Sequence, residues 1–186
     1  IDNLRESLNA SLVSLCIPIG EGTAITGVVD ILKMKSVSPK SAGSREMMYG
    51  DIPPEFADTV KEERRRGVEI AAEGDDELIE MFLEGKEFDE ELIRRGIKEQ
   101  IMANKLCPVI CGSAVRCVGV SSLVNLVKNF MPSPVEMGPR VAIDLTKNAD
   151  EFELPCDASG KTALVVWKTY LDQYAGKFSY VRVVSG

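Results

Sequence analysis

A Pro- and Gly-rich stretch at residues 131–140, MPSPVEMGPR, separates two parts of the chain with different patterns. Before it, short apolar runs alternate with segments that carry apolar residues at helical spacing. After it, residues 161–171 and 177–186 have the pattern of strands joined by DQYAG, which predicts a β-hairpin. The sequence therefore predicts an α/β domain over residues 1–131, a linker over 132–160 and the start of a β domain over 161–186.

Apolar spacing predicts alternating strands and helices in the first part. The strands are expected at residues 12–19, 24–37 and 105–111, and the helices at 55–73, 76–84, 89–103 and 121–130. Asp89 is a favourable N-cap, and Phe88 can pack on Ile93 across the first turn of the helix that follows. A loop is expected between the second strand and the first of these helices.

Histidine is absent, which excludes Ser-His-Asp and Cys-His catalysis and His-ligated zinc. The five cysteines form no C-x-x-C pair, so we predict neither a metal site nor a disulfide framework. Cys107 and Cys111 are expected on one face of a strand as small buried hydrophobes. No catalytic residue is predicted, and no apolar run approaches the roughly 18–20 residues of a membrane span. A reducing cytoplasm fits this cysteine usage.

The negative charge is concentrated in one segment. Residues 55–99 hold 16 of the 29 acidic and 8 of the 22 basic residues, a net charge of −8, whereas the whole chain carries −7. Direct contact of this segment with nucleic acid is therefore disfavoured, and a basic partner protein would complement it.

The segment VICGSAVRCVGV, residues 109–120, runs from a predicted strand through small residues towards a predicted helix. Gly112, Ser113 and Ala114 can form a loop whose backbone N–H groups face a ligand. The same residues are equally typical of a tight turn between two packed elements. The residues alone leave both interpretations open.

Several segments together resemble bacterial translation elongation factor G. They are IPIGEGTAITGVVDILKMKSV, the long block from EGDDELIEMF to NFMPSP, which contains CGSA and MPSP in the family's order, and VWKTYLDQYAGKFSYVRVVSG. The resemblance implies a partial P-loop-type GTPase domain of α/β class with an inserted α+β subdomain at about residues 20–103, followed by truncated β-barrel strands. The loop SVSPKSAGSREMMYGDI is less typical and is compatible with a paralogue.

The resemblance also implies a role for the small-residue loop. Gly112, Ser113, Ala114 and Val115 match the family's last guanine-binding motif, in which backbone N–H groups approach the guanine O6. Val115 departs from the aromatic residue that many relatives carry there. The phosphate loop, both switch segments and the Asn-Lys-x-Asp motif would lie upstream. We therefore expect GTP or GDP with magnesium only in a longer parent protein, no nucleotide bound to this chain, and no GTP hydrolysis by it alone.

For the acidic segment the resemblance implies contact with the flexible stalk protein of the ribosome. The expected contact residues lie on the helix at 55–73 and are Asp58, Lys61, Glu62, Arg65, Glu69 and Glu73. A solvated helix face without a partner is the other interpretation.

The function implied for the parent is ribosome-dependent GTP hydrolysis that drives movement of tRNA and mRNA during elongation in the cytoplasm. The alternative is a non-catalytic interaction module whose acidic helices bind a basic partner. Release factors and ribosome-protecting tetracycline-resistance proteins are a third possible class of parent, although the inserted helical block is more similar to elongation factor G.

Overall fold

The computed structural model describes residues 2–8, 10–146 and 149–186, and the chain divides into two compact units, residues 1–131 and 132–186. Helices and small sheets are mixed in the first unit, whereas the regular elements of the second unit are strands. This confirms the α/β class. The strands described in the second unit form two-stranded sheets and no closed barrel.

The described residues of the first unit form two sheets and several helices. Its elements, in chain order, are α1 (Asp2–Leu8), β1 (Leu12–Ser14), β2 (Cys16–Ile19), β3 (Gly27–Asp30), β4 (Lys35–Pro39), β5 (Met47–Gly50), α2 (Ala57–Ala72), α3 (Asp76–Leu83), α4 (Glu90–Met102), β6 (Cys107–Val109) and α5 (Val120–Phe130). Strands β1 and β6 pair in parallel, and β2, β3, β4 and β5 form an antiparallel meander.

Leu15 is the residue at which the chain passes from one sheet to the other. Its N–H donates to Val109 O at 2.9 Å and extends the parallel pairing with β6, whereas its carbonyl accepts from Ile31 N at 3.2 Å, next to β3. The single strand predicted at residues 12–19 is therefore wrong: it is two strands in two sheets. A continuous apolar run shows that a segment is buried and does not show which partner each residue pairs with.

The second predicted strand, at residues 24–37, is also two strands. Asp30 Oδ1 accepts from Leu32 N at 3.1 Å and from Lys33 N at 3.0 Å, and Met34 has a φ of +54°. These features close a tight turn between β3 and β4, because an Asp side chain that bonds the backbone ahead of it replaces strand pairing. Strand β5 lies in the segment predicted as a loop.

The helices agree with their predicted positions within a few residues. Asp89 caps α4 as predicted, since its carboxylate accepts from Glu91 N at 2.9 Å and Leu92 N at 2.8 Å. Phe88 and Ile93 are both buried in the larger core cluster. Helices α2 and α4 pack closely enough that Gly96 leaves no space for a Cβ beside Ala71 O.

Two apolar clusters stabilise the first unit. The larger joins β1 to the helices, and its buried members are Val13, Leu15, Ala71, Ala72, Leu78, Phe88, Ile93, Ile97, Leu106 and Phe130. The smaller lies against the four-stranded sheet and consists of Cys16, Ile25, Val28, Val37 and Val118. Val118 lies three residues after the predicted guanine loop at 112–115 and in the same segment 109–120, so the second cluster anchors that segment to the meander.

In the part that the structure describes, the second unit contains two antiparallel strand pairs. They are β7 (Arg140–Asp144) with β8 (Asp150–Leu154), and β9 (Ala163–Asp172) with β10 (Gly176–Ser185). The second hairpin was predicted, but β7 and β8 lie inside the predicted linker at 132–160, so that segment is not an irregular linker. Four acidic residues in and beside these short strands hide the alternation of apolar residues there.

Candidate functional site

The predicted guanine loop, residues 112–115, lies in a closed turn between β6 and α5. Ser113 N–H donates to Val118 O at 2.9 Å and Val118 N–H donates back to Ser113 O at 3.0 Å. Inside this pair, Cys117 N–H donates to Ala114 O at 3.2 Å. We call residues 113–118 the 113–118 turn. Its two ends are fixed by backbone hydrogen bonds, so its tip is presented by a defined scaffold.

The two glycines that flank the turn are required by close contact of the backbone with itself. A Cβ on Gly112 would lie 2.5 Å from Val118 O. A Cβ on Gly119 would lie closer than 3.0 Å to Cys111 O, and Gly119 also has a φ of +72°. A ligand is therefore not needed to explain Gly112, because the turn itself requires a residue without a side chain there.

The backbone donors at the tip of the turn are available. Ser113 N–H is used by Val118 O, but the N–H groups of Ala114 and Val115 bond no atom in the part of the chain that the structure describes. Ala114 is exposed, and Val115 is 91% exposed. Two neighbouring free amides can donate to a ligand carbonyl without adding charge, which is what recognition of a neutral base requires.

The 113–118 turn also contacts the loop between β4 and β5. Gly43 N–H donates to Arg116 O at 3.4 Å, and buried Val118 packs with Ile25 and Val37 of the meander. The sheet that the resemblance places in the inserted subdomain thus supports the turn on one side. Sequence reasoning missed this contact, because nothing in the local pattern joins residues about 70 positions apart.

At the base of the turn, Cys111 contacts Cys16 at the start of β2. The two sulfur atoms are 3.5 Å apart, and Cys111 N–H donates to Cys16 Sγ at 3.2 Å. The hydrogen bond with the Cys111 thiol, together with burial, raises the pKa of the Cys16 thiol far above its ordinary value. The same hydrogen bond lowers the pKa of Cys111.

This pairing corrects the expectation for the cysteines. Cys107 is exposed, so it does not share a buried face with Cys111. The partner of Cys111 is 95 residues away in sequence. Spacing along the chain therefore could not identify it, and only the pairing of β1 with β6 brings the two together.

The predicted partner-binding residues form one stripe along α2. Of the six, Asp58, Lys61, Glu62, Arg65 and Glu73 are exposed, and Glu69 is half-buried. Arg65 bonds Glu62 Oε1 at 2.9 Å and also pairs with Glu69. These contacts lower the pKa of Glu62 and raise that of Arg65, mainly through their shared hydrogen bond. The middle of the stripe is thus internally paired, whereas Asp58 and Glu73 lie at its ends.

A second charged cluster, which sequence reasoning missed, joins α3 to α4. Arg95 pairs with Asp75, the N-cap of α3, and bonds Glu77 Oε2 at 2.8 Å. The guanidinium hydrogen bond holds the pKa of Asp75 below its usual range. The 20-residue separation hides this pair in the sequence.

The described residues contain no candidate for two other kinds of site. In residues 2–8, 10–146 and 149–186, no group of three or more Cys, Asp or Glu side chains is placed to hold a metal ion. Over the same ranges, no helix is both long enough and apolar enough to cross a bilayer.

The comparisons with known proteins give a structural likeness and no family. No family model matches the sequence. A crystal structure of a protein from Thermus thermophilus is similar over the whole of this chain, with a TM-score of 0.76 and 26% sequence identity. This chain spans 24% of the Thermus chain, or about a quarter of its length. The described fold therefore also occurs within a much longer polypeptide.

Proposed function

We propose that this chain is part of a ribosome-dependent translational GTPase similar to elongation factor G. In that protein, GTP hydrolysis would promote movement of tRNA and mRNA after peptide-bond formation. The observation that carries the proposal is the 113–118 turn: a rigid turn after a parallel strand, with free amides at the exposed Ala114 and Val115. The sequence resemblance supports it, and so does the occurrence of the fold in a longer chain.

The role proposed for the turn is recognition of guanine. The Ala114 N–H would donate to the guanine O6, a carbonyl that adenine lacks, and small neighbours let the base approach the backbone. Ser113 would contribute through the geometry of the turn, because its N–H is already bonded to Val118 O. Val115 offers no aromatic ring, so stacking on the base would have to come from another residue.

The remaining nucleotide contacts would come from sequence preceding this chain. Phosphoryl transfer needs cradled phosphates, bound magnesium and a positioned water. The free amides of Ala114 and Val115 fit the base, and the preceding sequence would supply the groups that hold the phosphates. The 186-residue chain alone should therefore give no GTP turnover above a control without protein. Turnover by the purified chain would refute this part of the proposal.

The test of the function uses the longer protein that would carry this chain. Its rate of GTP hydrolysis is measured with and without ribosomes, and we expect strong stimulation by ribosomes. A protein that binds ribosomes without hydrolysing GTP would instead be the non-catalytic interaction module, which the charge of −8 on residues 55–99 favours. A protein that neither binds ribosomes nor hydrolyses GTP would contradict both.

The partner proposed for the α2 stripe is the stalk protein of the ribosome. Asp58→Lys and Glu73→Lys are suitable variants, because these exposed residues lie outside the paired group Glu62, Arg65 and Glu69. The α2 helix should then keep its internal ion pairs while its external charge changes. Both variants should weaken salt-sensitive binding of the isolated stalk protein, whereas Glu87→Lys, an exposed change outside α2, should not. Equal binding by the parent chain and the three variants would show that the stripe is a solvated surface without a partner.

A further inference from the structure

Cys16 and Cys111 form a dithiol in direct contact at the base of the 113–118 turn. Their sulfur atoms are 3.5 Å apart, whereas a disulfide bond measures about 2.0 Å, so small side-chain movements would close the gap. Each sulfur also lies near the other residue's backbone: Cys16 Sγ is 3.7 Å from Cys111 O, and Cys111 Sγ is 3.8 Å from Cys16 O. The two side chains are thus already oriented towards each other.

The environments of the two thiols differ in the way that ordered disulfide formation requires. Cys111 is half-buried, and its lowered pKa increases the thiolate fraction that can attack an external disulfide. Cys16 is only 4% exposed, so bulky reagents cannot reach it directly. Once Cys111 has formed a mixed disulfide with the reagent, the electrophile nearest to Cys16 would be the Cys111 sulfur.

We propose that Cys16 and Cys111 are a modification site at which a low-molecular-weight disulfide, such as oxidised glutathione, reversibly oxidises the pair. The Cys111 thiolate attacks one sulfur of the reagent, forming a mixed disulfide and releasing one reduced thiolate. The mixed disulfide removes the hydrogen bond with the Cys111 thiol, which is the main cause of the raised Cys16 pKa. Cys16 can then lose its proton, and its thiolate attacks Cys111 Sγ and releases the second thiolate of the reagent. Both cysteines are oxidised, the reagent is reduced to two thiols, and excess reduced thiol reverses the reaction.

The modification would act on the backbone next to the turn. Cys111 directly precedes Gly112, and its N–H already bonds Cys16 Sγ. A covalent link would tie the base of the turn to the start of β2 and remove the dithiol hydrogen bond. An effect on guanine binding rests on the proposed function, whereas formation of the disulfide does not. Disulfide formation and its effect on guanine binding can therefore be refuted independently.

The test is incubation of the native 186-residue chain with oxidised glutathione, followed by alkylation and peptide mapping without reduction. The expected product is one internal disulfide joining the peptides that contain Cys16 and Cys111, and dithiothreitol should remove it. Exposed Cys107 should appear only as a mixed disulfide with glutathione. Hydrogen exchange of the amides in residues 112–119 then reports whether the link changes the turn, without using nucleotide.

Matched variants separate the specific pair from general thiol reactivity. Cys107→Ser should leave the internal disulfide unchanged. Cys16→Ser should stop the reaction at the mixed disulfide on Cys111, and the circular-dichroism spectrum of the variant checks that it has folded. A stable mixed disulfide on Cys111 of the native chain, or internal links distributed among several cysteine pairs, would overturn the proposal.

Discussion

A Cβ added at Gly112 would lie 2.5 Å from the carbonyl oxygen of Val118, at the opposite end of the turn. The ends of the turn make this contact, and Ala114 and Val115 at its tip take no part in it. The residues that hold the turn in its shape are therefore different from the residues that a ligand can reach. A substitution at the base should change the shape of the turn, whereas one at the exposed tip should not.

Gly112→Ala should destabilise the chain by about 1–3 kcal/mol, because the added methyl group collides with backbone that cannot rotate away. The control is Val115→Ala at the exposed tip, which should change the free energy of unfolding by less than about 0.5 kcal/mol. Urea denaturation followed by circular dichroism measures both. Equal stability of the two variants would show that the ends of the turn are not closely packed.

The Asp75 carboxylate provides a pH-dependent contact. Arg95 lowers its pKa in the folded chain, so the stabilisation is present above the unfolded pKa of about 3.9 and is lost as pH falls through the lower folded value. Arg95→Gln should lower the Tm at pH 7, and the difference from the parent chain should shrink below about pH 4. Lys61→Gln is the control for loss of one surface charge. A difference in Tm that stays constant with pH would show that the contact does not involve the ionised Asp75.

Among helices, α2 and α4 are the pair whose contact the structure defines most sharply. A Cβ on Gly96 would lie closer than 3.0 Å to Ala71 O, and Gln100 Nε2 donates to Ile70 O at 3.3 Å. Backbone contact and one buried side-chain hydrogen bond therefore fix how these helices cross. This positions the α2 stripe relative to the acidic residues of α4.

Two Gly→Ala substitutions should change stability in opposite directions. Gly96→Ala should cost about 1–3 kcal/mol, since the helices must separate to accept the methyl group. Gly67→Ala should stabilise the chain by about 0.5–1 kcal/mol, because no atom lies within 4 Å of its added Cβ and Ala is the better helix former. The free energy of unfolding in urea measures both. A loss of stability in both variants would contradict the described crossing.

The helices and caps could be predicted from the sequence, whereas the pairing of strands could not. The Asp89 cap and the apolar spacing of residues 89–103 are local signals, and α4 follows them. The change of sheet at Leu15 depends on partners far away along the chain, so no local pattern contains it. For the site, the small residues at 112–114 left two interpretations open, a loop whose amides face a ligand and a tight turn. The contact of Cys111 with Cys16 was not predicted.

For the whole molecule, the two units differ in how much apolar surface they bury. Both core clusters belong to residues 1–131, whereas the hairpins of residues 132–186 leave large side chains such as Trp167 and Tyr174 mostly exposed. Isolated hairpins are only marginally stable in water. The proposed function assigns the nucleotide base and the partner surface to the first unit, where the packing is sufficient to hold them.

The central claim, that the 113–118 turn binds the O6 of guanine, is tested most directly by nucleotide affinity of the longer protein. The Kd of GDP is compared with that of 6-thioguanosine diphosphate, which keeps the N1–H and the 2-amino group and replaces O6 by sulfur, a poor hydrogen-bond acceptor. Loss of most of one amide hydrogen bond should weaken binding by up to about tenfold, or roughly 1.4 kcal/mol. Equal affinity for the two nucleotides, or no binding of GDP, would contradict the assignment of the turn to guanine.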